Sequence, residues 1–506
     1  MNEYLMFFIA LLPIVLLIVS LGVFKIPGHK ICPIALVLTI VLSIIGWKIP
    51  LGVSLSAALE GIVLALWPIM LVIIAAVFTY NLSVHTKGME TIKKILTSVT
   101  TDKRILVLIL AWGFGGFLES VAGFGTAVAI PASILIVLGF DPIFAAIICL
   151  VANTTPTAFG AIGLPINTLS KLANLTPTQL SNDVSIQLFL FVVFIPMALV
   201  MITGKSFKSV KGVLGITLVS GIAFAIPQAI FAKYLGAELP AVLGSVASLA
   251  VTIWMAKTFH KDKQAKNIDE RVSFKSGVIA WSPFILILVL ILLSSPLFPS
   301  INAALSSIKT SVHIYQGRDS IPYTFTWIGT PGVLILISGF IGGAIQGANF
   351  KEMLSVLGRT VKQMSKSGIT ILSIIALAKV MGYSGMIKSI AVILVMITGR
   401  FYPVIAPLIG ALGTFITGSA TSSNVLFGGL QVEAAKSLAI DPCWLAAANT
   451  AGATAGKIIS PQSIAVATAA TGIAGEEGKI LNSTLKFFLA YVIIQGIITF
   501  FGAVIF

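Results

Sequence analysis

An all-α polytopic membrane protein with about 12 transmembrane helices is the fold class the sequence predicts, and three observations carry it. Hydrophobic residues fill 57% of the 506 positions and charged residues 10%, a balance that soluble domains of this length do not hold. Apolar runs recur at the roughly 20-residue length an α-helix needs to cross the hydrocarbon core. Two stretches of the chain also repeat one another, with polar interruptions at matching places.

The elements follow in order. Residues 1–59 hold spans near 4–24 and 30–47; the first has an acid, Glu3, but no basic start and no small-residue cleavage site, so it reads as a retained span. Residues 60–204 form a first repeat: a span at 60–82, a Gly/Ser/Thr-centred region at 103–140 whose arms read as a re-entrant hairpin, a broken helix at 141–172, and a span at 185–204. Residues 205–356 supply linking and scaffold spans near 211–231, 238–257, 277–294 and 330–349. Residues 357–506 repeat the first pattern, with a span at 366–382, a hairpin at 401–440, a broken helix at 441–471 and a last span at 485–505.

The formal charge of +15 would suit a nucleic-acid partner only if the basic residues clustered on a soluble domain, and no stretch is long enough to form one. With the N-terminus outside, 22 of the 32 Lys and Arg residues fall in cytoplasmic loops, 8 fall outside, and Lys379 and Lys457 lie within membrane segments. This asymmetry is the positive-inside pattern, and it sets the basic face beside anionic headgroups of the bilayer. Cys32, Cys149 and Cys443 lack redox or metal spacing and read as packing residues. The four histidines have neither ligand spacing nor a nucleophile beside them, so an enzyme, a metal site and a cofactor all lack support.

In the repeat, Asn153, Gly160 and Pro165 return as Asn449, Gly456 and Pro461. An odd number of crossings separates the two copies, so they should face opposite ways. Inverted repeats with interrupted helices are the signature of secondary transporters, whose sites lie at the repeat interface. The hairpins should turn at "GFGT" (123–126) and "TSSN" (421–424), with Thr126 and Asn424 capping the arms that follow. The broken helices should restart after "NTTPTAFG" (153–160) and "NTAGATAG" (449–456). Four helix N-termini would then surround one polar pocket suited to an anion. The candidate substrate-binding residues are Gly125, Thr126, Asn153, Thr154, Ser422, Ser423, Asn424, Asn449, Thr450 and Lys457.

Lys457 stands where the other copy has Ala161, and a buried lysine needs a partner: a substrate carboxylate or a structural ion pair. Glu119 is the only acid between Asp102 and Asp141. It reads as a proton-coupling carboxylate, with a salt bridge to Lys457 or a water-facing position as the alternatives. Lys379, near the end of its span, faces the same choice as Lys457, with the interface also within reach, and Glu60 reads as interfacial. Asp141 and Asp441, each followed by Pro, read as helix caps, and Glu433 as a surface partner of Lys436.

The blocks "GGFLESVAGFGTAVAIPASILIVLGF", "VANTTPTAFGAIGLPI", "GSATSSNVLFGGLQ" and "GKIISPQSIAVA" resemble the signature blocks of the bacterial L-lactate permease family, in order and over nearly the whole chain. The resemblance implies proton-coupled uptake of L-lactate, with D-lactate and glycolate as alternatives, across the cytoplasmic membrane. It also implies kinship with ion transporters that use paired re-entrant hairpins. The loop after residue 258 is shorter than in the best-known members. The residues by themselves leave open a sodium-coupled carboxylate or dicarboxylate transporter, and more remotely a passive channel or a membrane-embedded enzyme.

Overall fold

The computed structural model describes residues 3–24, 26–123, 125–260, 272–295, 297–317, 320–473 and 476–505. Phe124 at the first hairpin tip, and residues 261–271 of the basic loop, lie outside the described residues. Eleven described helices are long and apolar enough to cross a membrane, or twelve with one bent pair counted as a span. Large apolar side chains such as Phe8, Ile45 and Ile493 face outward, while Ser, Thr, Asn and Gln residues are packed inside. The chain is a polytopic α-helical membrane protein.

Helices α1 (Glu3–Ile18) and α2 (Gly28–Trp47) lead into α3 (Leu51–Leu64) and α4 (Leu71–His85), which form one long bent segment. The bend is at Trp67–Pro68, where Trp67 leaves helical geometry. The span expected at 60–82 therefore begins nine residues earlier. This moves Glu60 from a span end into the buried interior of α3, where it pairs with Lys379; the interfacial reading of Glu60 is corrected.

The amphipathic α5 (Gly88–Thr97) precedes α6 (Lys103–Val107), which continues through a wider π-type turn into α7 (Gly115–Val121). Together they make a 19-residue arm long enough to span, longer than expected, before the chain reverses into α8 (Thr126–Val137). Asp141 caps α9 (Pro142–Ala152), its carboxylate accepting from the amides of Ile143 and Phe144 at 3.1 Å. A short 3₁₀ turn at Thr155–Phe159 then bends the chain by 47° into α10 (Gly160–Ala173). The first broken helix thus falls where the sequence indicates, with Pro156 at the restart and Ala161, Ile162 and Gly163 in left-handed geometry.

Four spans follow: α11 (Pro177–Thr203), α12 (Leu214–Leu235), α13 (Pro240–Phe259) and α14 (Phe274–Leu293). A loop with α15 (Pro299–Ser307) and a hairpin of β1 (Lys309–Val312) and β2 (Tyr323–Thr326) leads to α16 (Pro331–Ile345). The 35-residue α17 (Phe350–Ser384), opened by an Asn349/Glu352 capping box, is far longer than the expected span at 366–382. Next come α18 (Met386–Thr398), α19 (Tyr402–Thr417), α20 (Ala420–Leu438), α21 (Pro442–Ile459), α22 (Pro461–Thr471) and α23 (Glu477–Ile505).

The second interruption is not where "NTAGATAG" suggested. That stretch is continuous helix inside α21, and the break comes at Ser460–Pro461, where Ser460 turns to extended geometry. The small residues serve packing instead. A methyl on Gly452 would overlap the Pro407 carbonyl of α19, and one on Gly456 the Ala411 carbonyl. Glycines four apart let two backbones touch, the usual means of holding helices together in lipid.

Candidate functional site

Four helix starts, those of α8, α10, α20 and α22, border one cavity of about 500 Å³. Each start has a local cause. Gly123 and Gly125 take positive φ and turn the chain into α8. Gly418 closes α19 in left-handed geometry, and Ser419 caps α20 by accepting from the Ser422 amide at 3.2 Å. Two cap assignments are corrected here. Thr126 donates its hydroxyl to the Gly123 carbonyl at 2.7 Å, and Asn424 lies a turn inside α20. Pro461 opens α22, and the 3₁₀ turn that holds Pro156 leads into α10 at Gly160. Helix N-termini carry partial positive charge and unpaired amides, so their convergence favours an anion.

Glu119 and Lys457 meet on the wall of this cavity, with Lys457 Nζ 2.7 Å from Glu119 Oε1. Both are buried, at 2% and 9% exposure, and Glu119 Oε2 is buried without a hydrogen-bond partner among the described residues. Lys457 sits in the last turn of α21 rather than at a helix start. There its positive charge is favoured by the carbonyl end of the helix. The pair joins α7 to α21.

Of the other candidates, Gly125 and Ser422 line the cavity, whereas Ser423, Asn424, Asn449 and Thr450 form a buried network behind it. Asn424 Oδ1 accepts from Asn449 Nδ2 at 3.0 Å and from the Thr450 hydroxyl at 3.2 Å. Asn424 Nδ2 donates to the Pro165 carbonyl at 3.1 Å, and Gln431 donates to Asn449 at 3.2 Å. Ser423 donates to the Gly410 carbonyl at 2.6 Å. These residues tie α19, α20, α21 and the first break into one unit and so hold the cavity's shape. Thr154 is satisfied within its own turn, donating to Val151 O at 2.8 Å. Asn153 is buried behind the wall, and neither of its amide atoms has a partner among the described residues.

Sequence reasoning missed Gln462 and Ser463, which line the cavity at the start of α22. Pro461 was the available signal, since Pro at the first helical position marks a restart. The turn between α1 and α2, at Pro27–His29, and the middle of α17, at Lys366–Thr370, border the cavity mouth.

The model of a family described as L-lactate permease matches residues 6–506. The chain is 54% identical to the L-lactate permease of Streptococcus iniae over 439 residues, covering 87% of this chain and 93% of that one. It is 35% identical to the glycolate permease GlcA of Escherichia coli (strain K12), covering 98% and 96%. It is 34% identical to the L-lactate permease of Bacillus subtilis (strain 168), covering 97% and 94%. Among solved structures, Neisseria gonorrhoeae MtrF, described as illuminating a class of antimetabolite efflux pumps, superposes with a TM-score of 0.53 at 13% identity, covering 96% of each chain. At that identity the likeness concerns the fold.

Proposed function

Because the chain belongs to the L-lactate permease family, we propose that it takes up L-lactate, and with it D-lactate or glycolate, by symport with protons across the plasma membrane of a bacterium. It is a permease and not an enzyme. The observation that carries the reading is the Glu119–Lys457 ion pair on the wall of a cavity bordered by helix N-termini.

The chemistry runs as an exchange of partners. A monocarboxylate needs a cation, and Lys457 is the buried cation on the wall, held by Glu119. A proton arriving on Glu119, whose Oε2 lacks a partner, cancels the carboxylate charge and frees the ammonium. Lactate then takes the place Glu119 gives up, its carboxylate on Lys457 and the free amides of the helix starts. When lactate leaves, Lys457 is unpaired at depth, which is costly. Glu119 therefore loses its proton and restores the pair. In the empty and the loaded site alike the charges balance, and each alternative with one charge too many is disfavoured in a low-dielectric barrier.

The helix order and the excess of basic residues in one set of loops support an extracellular N-terminus. On that reading the mouth at Pro27–His29 opens to the cytoplasm, an inward-open arrangement. The test is uptake of labelled L-lactate into proteoliposomes under an imposed pH gradient in sodium-free, choline-based medium. Gradient-driven accumulation supports symport with protons. Accumulation that requires Na⁺ and ignores the gradient overturns it, and failure of both L-lactate and glycolate to exchange overturns the substrate assignment.

A further inference from the structure

A second cavity, of about 300 Å³, lies along the later turns of α10. Asn167, Thr168, Lys171, Glu238 and Ser294 line it. Leu164 lines both cavities, Ala161 faces the first and Ile162 the second. The partition between them is thus the left-handed segment after the α10 break, one backbone thick. It is clamped from the far side, because Gly163 packs so closely on the Ala237 backbone that a methyl there would overlap the Ala237 carbonyl. The loop holding Ala237 also carries Glu238.

The walls of the second cavity are prepared for an anion with a hydroxyl. Lys171 makes no hydrogen bond or ion pair within 4.0 Å among the described residues. The Thr168 hydroxyl is buried, at 1% exposure, and has no hydrogen-bond partner among the described residues. Glu238 Oε1 accepts from Asn167 Nδ2 at 2.8 Å within the same cavity wall. Burial pushes the Glu238 carboxyl above the usual range, with the bond from Asn167 opposing the rise. A volume near 300 Å³ is at the lower end of small-molecule sites and ample for a short hydroxy acid.

We infer that this second cavity is a monocarboxylate docking site on the opposite face from the Pro27–His29 mouth, in which Lys171 takes the carboxylate and Thr168 the hydroxyl before the substrate passes the Ala161–Leu164 partition. The inference rests on the proposed lactate transport, and with each hairpin counted as re-entrant the docking site faces outward.

The test compares L-lactate half-saturation on the two faces, using uptake by intact cells and uptake by inside-out vesicles, with abundance measured by immunoblot. Lys171→Gln should raise the external half-saturation concentration at least about tenfold, the loss expected when a charge-assisted bond to a carboxylate is removed. The value measured in inside-out vesicles should stay within about twofold, well short of the effect of one such bond. Lys171→Arg should recover most of the external affinity. If Lys171 served only to offset Glu238, the Lys171→Gln/Glu238→Gln double variant would return to the wild-type external value, and that result overturns the inference. So does an unchanged external value in Lys171→Gln. Should wild-type cells show no saturable uptake of L-lactate or glycolate, the transport reading itself fails, a result distinguishable from either outcome.

Discussion

Lys379 Nζ lies 2.8 Å from Glu60 Oε1, and the Tyr383 hydroxyl donates to the same oxygen at 2.7 Å, so that α3 and α17 are joined inside the protein by a second ion pair remote in sequence. Glu60 Oε2 has no hydrogen-bond partner among the described residues, and Tyr383 stacks on Tyr315 of the long loop with ring centroids 3.7 Å apart. Removing the lysine by itself strands a buried carboxylate, a change that costs about 3–5 kcal/mol, whereas removing both charges is close to neutral. Lys379→Met should therefore lower the thermal unfolding midpoint in detergent and the amount of protein in membranes. The Glu60→Gln/Lys379→Met pair should recover most of both. Equal midpoints for the single variant and the wild type would show the pair to be dispensable.

Glu119→Gln fixes a neutral side chain where the proposed cycle alternates between charged and neutral. The variant should exchange L-lactate for labelled L-lactate across a proteoliposome membrane, because the loaded form is imitated. It should fail to accumulate lactate against a gradient, because the empty form retains an unpaired Lys457. Undiminished pH-driven accumulation would remove Glu119 from the coupling.

Lys457→Gln should weaken L-lactate binding by about 10-fold to 100-fold, the span expected for one hydrogen bond to a charged group. Equilibrium binding to purified protein is the measurement, with abundance as the control. Lys457→Arg keeps the charge but brings a planar fork to a site fitted to a compact ammonium, and it should restore binding only in part. Unchanged affinity in Lys457→Gln would leave the helix starts as the sole anion holders.

Gly452→Ala places a methyl against the Pro407 carbonyl. Alanine gains about 1 kcal/mol of helix propensity, but parting two packed backbones costs roughly 1–3 kcal/mol. The net expectation is a lower unfolding midpoint together with weaker lactate binding, since α19 carries the second hairpin turn. A raised midpoint would mean that α19 and α21 separate freely.

Ser311 in β1 and Thr258 at the end of α13 are exposed, and the crossing count sets them on opposite faces. A cysteine at Ser311 should react with an impermeant maleimide in intact cells, and one at Thr258 only after permeabilisation. The reverse pattern would invert the N-terminal orientation and with it the outward assignment of the second cavity.

Much of this architecture is legible in the sequence because its causes are local. Asp141 and Asp441 before Pro mark helix starts, and Glu433 three residues before Lys436 forms its ion pair at 2.7 Å. The first break is visible in "NTTPT", since Pro156 removes an amide within the helix path. The second is marked by Pro461 but masked by "NTAGATAG", which has the same small and polar composition and holds no proline. Whether such a string breaks a helix or lets a neighbour approach is decided by α19, a helix that lies on the far side of α20 in the chain and meets the string at Gly410–Asn449, Pro407–Gly452 and Ala411–Gly456. Glu60 was misread for a related reason. The segment before it, "LGVSLSAAL", is too rich in Ser and Ala to look like a span, and its burial comes from α17. Glu119 and Lys457 stand out as lone charges in apolar surroundings, but their meeting depends on how α7 and α21, more than three hundred residues apart, pack together.

The Glu119–Lys457 pair has zero net charge, so a transmembrane voltage exerts no net pull on the empty carrier. A protonated Glu119 with lactate on Lys457 also sums to zero. Were one uncompensated charge to cross with each turnover, every 100 mV would contribute about 2.3 kcal/mol to accumulation. On the proposed cycle the two charges travel together and that source is closed. Depolarising the cell should leave the lactate ratio where the pH difference sets it, and a cell with a large potential and no pH difference should gain nothing from carrying this permease.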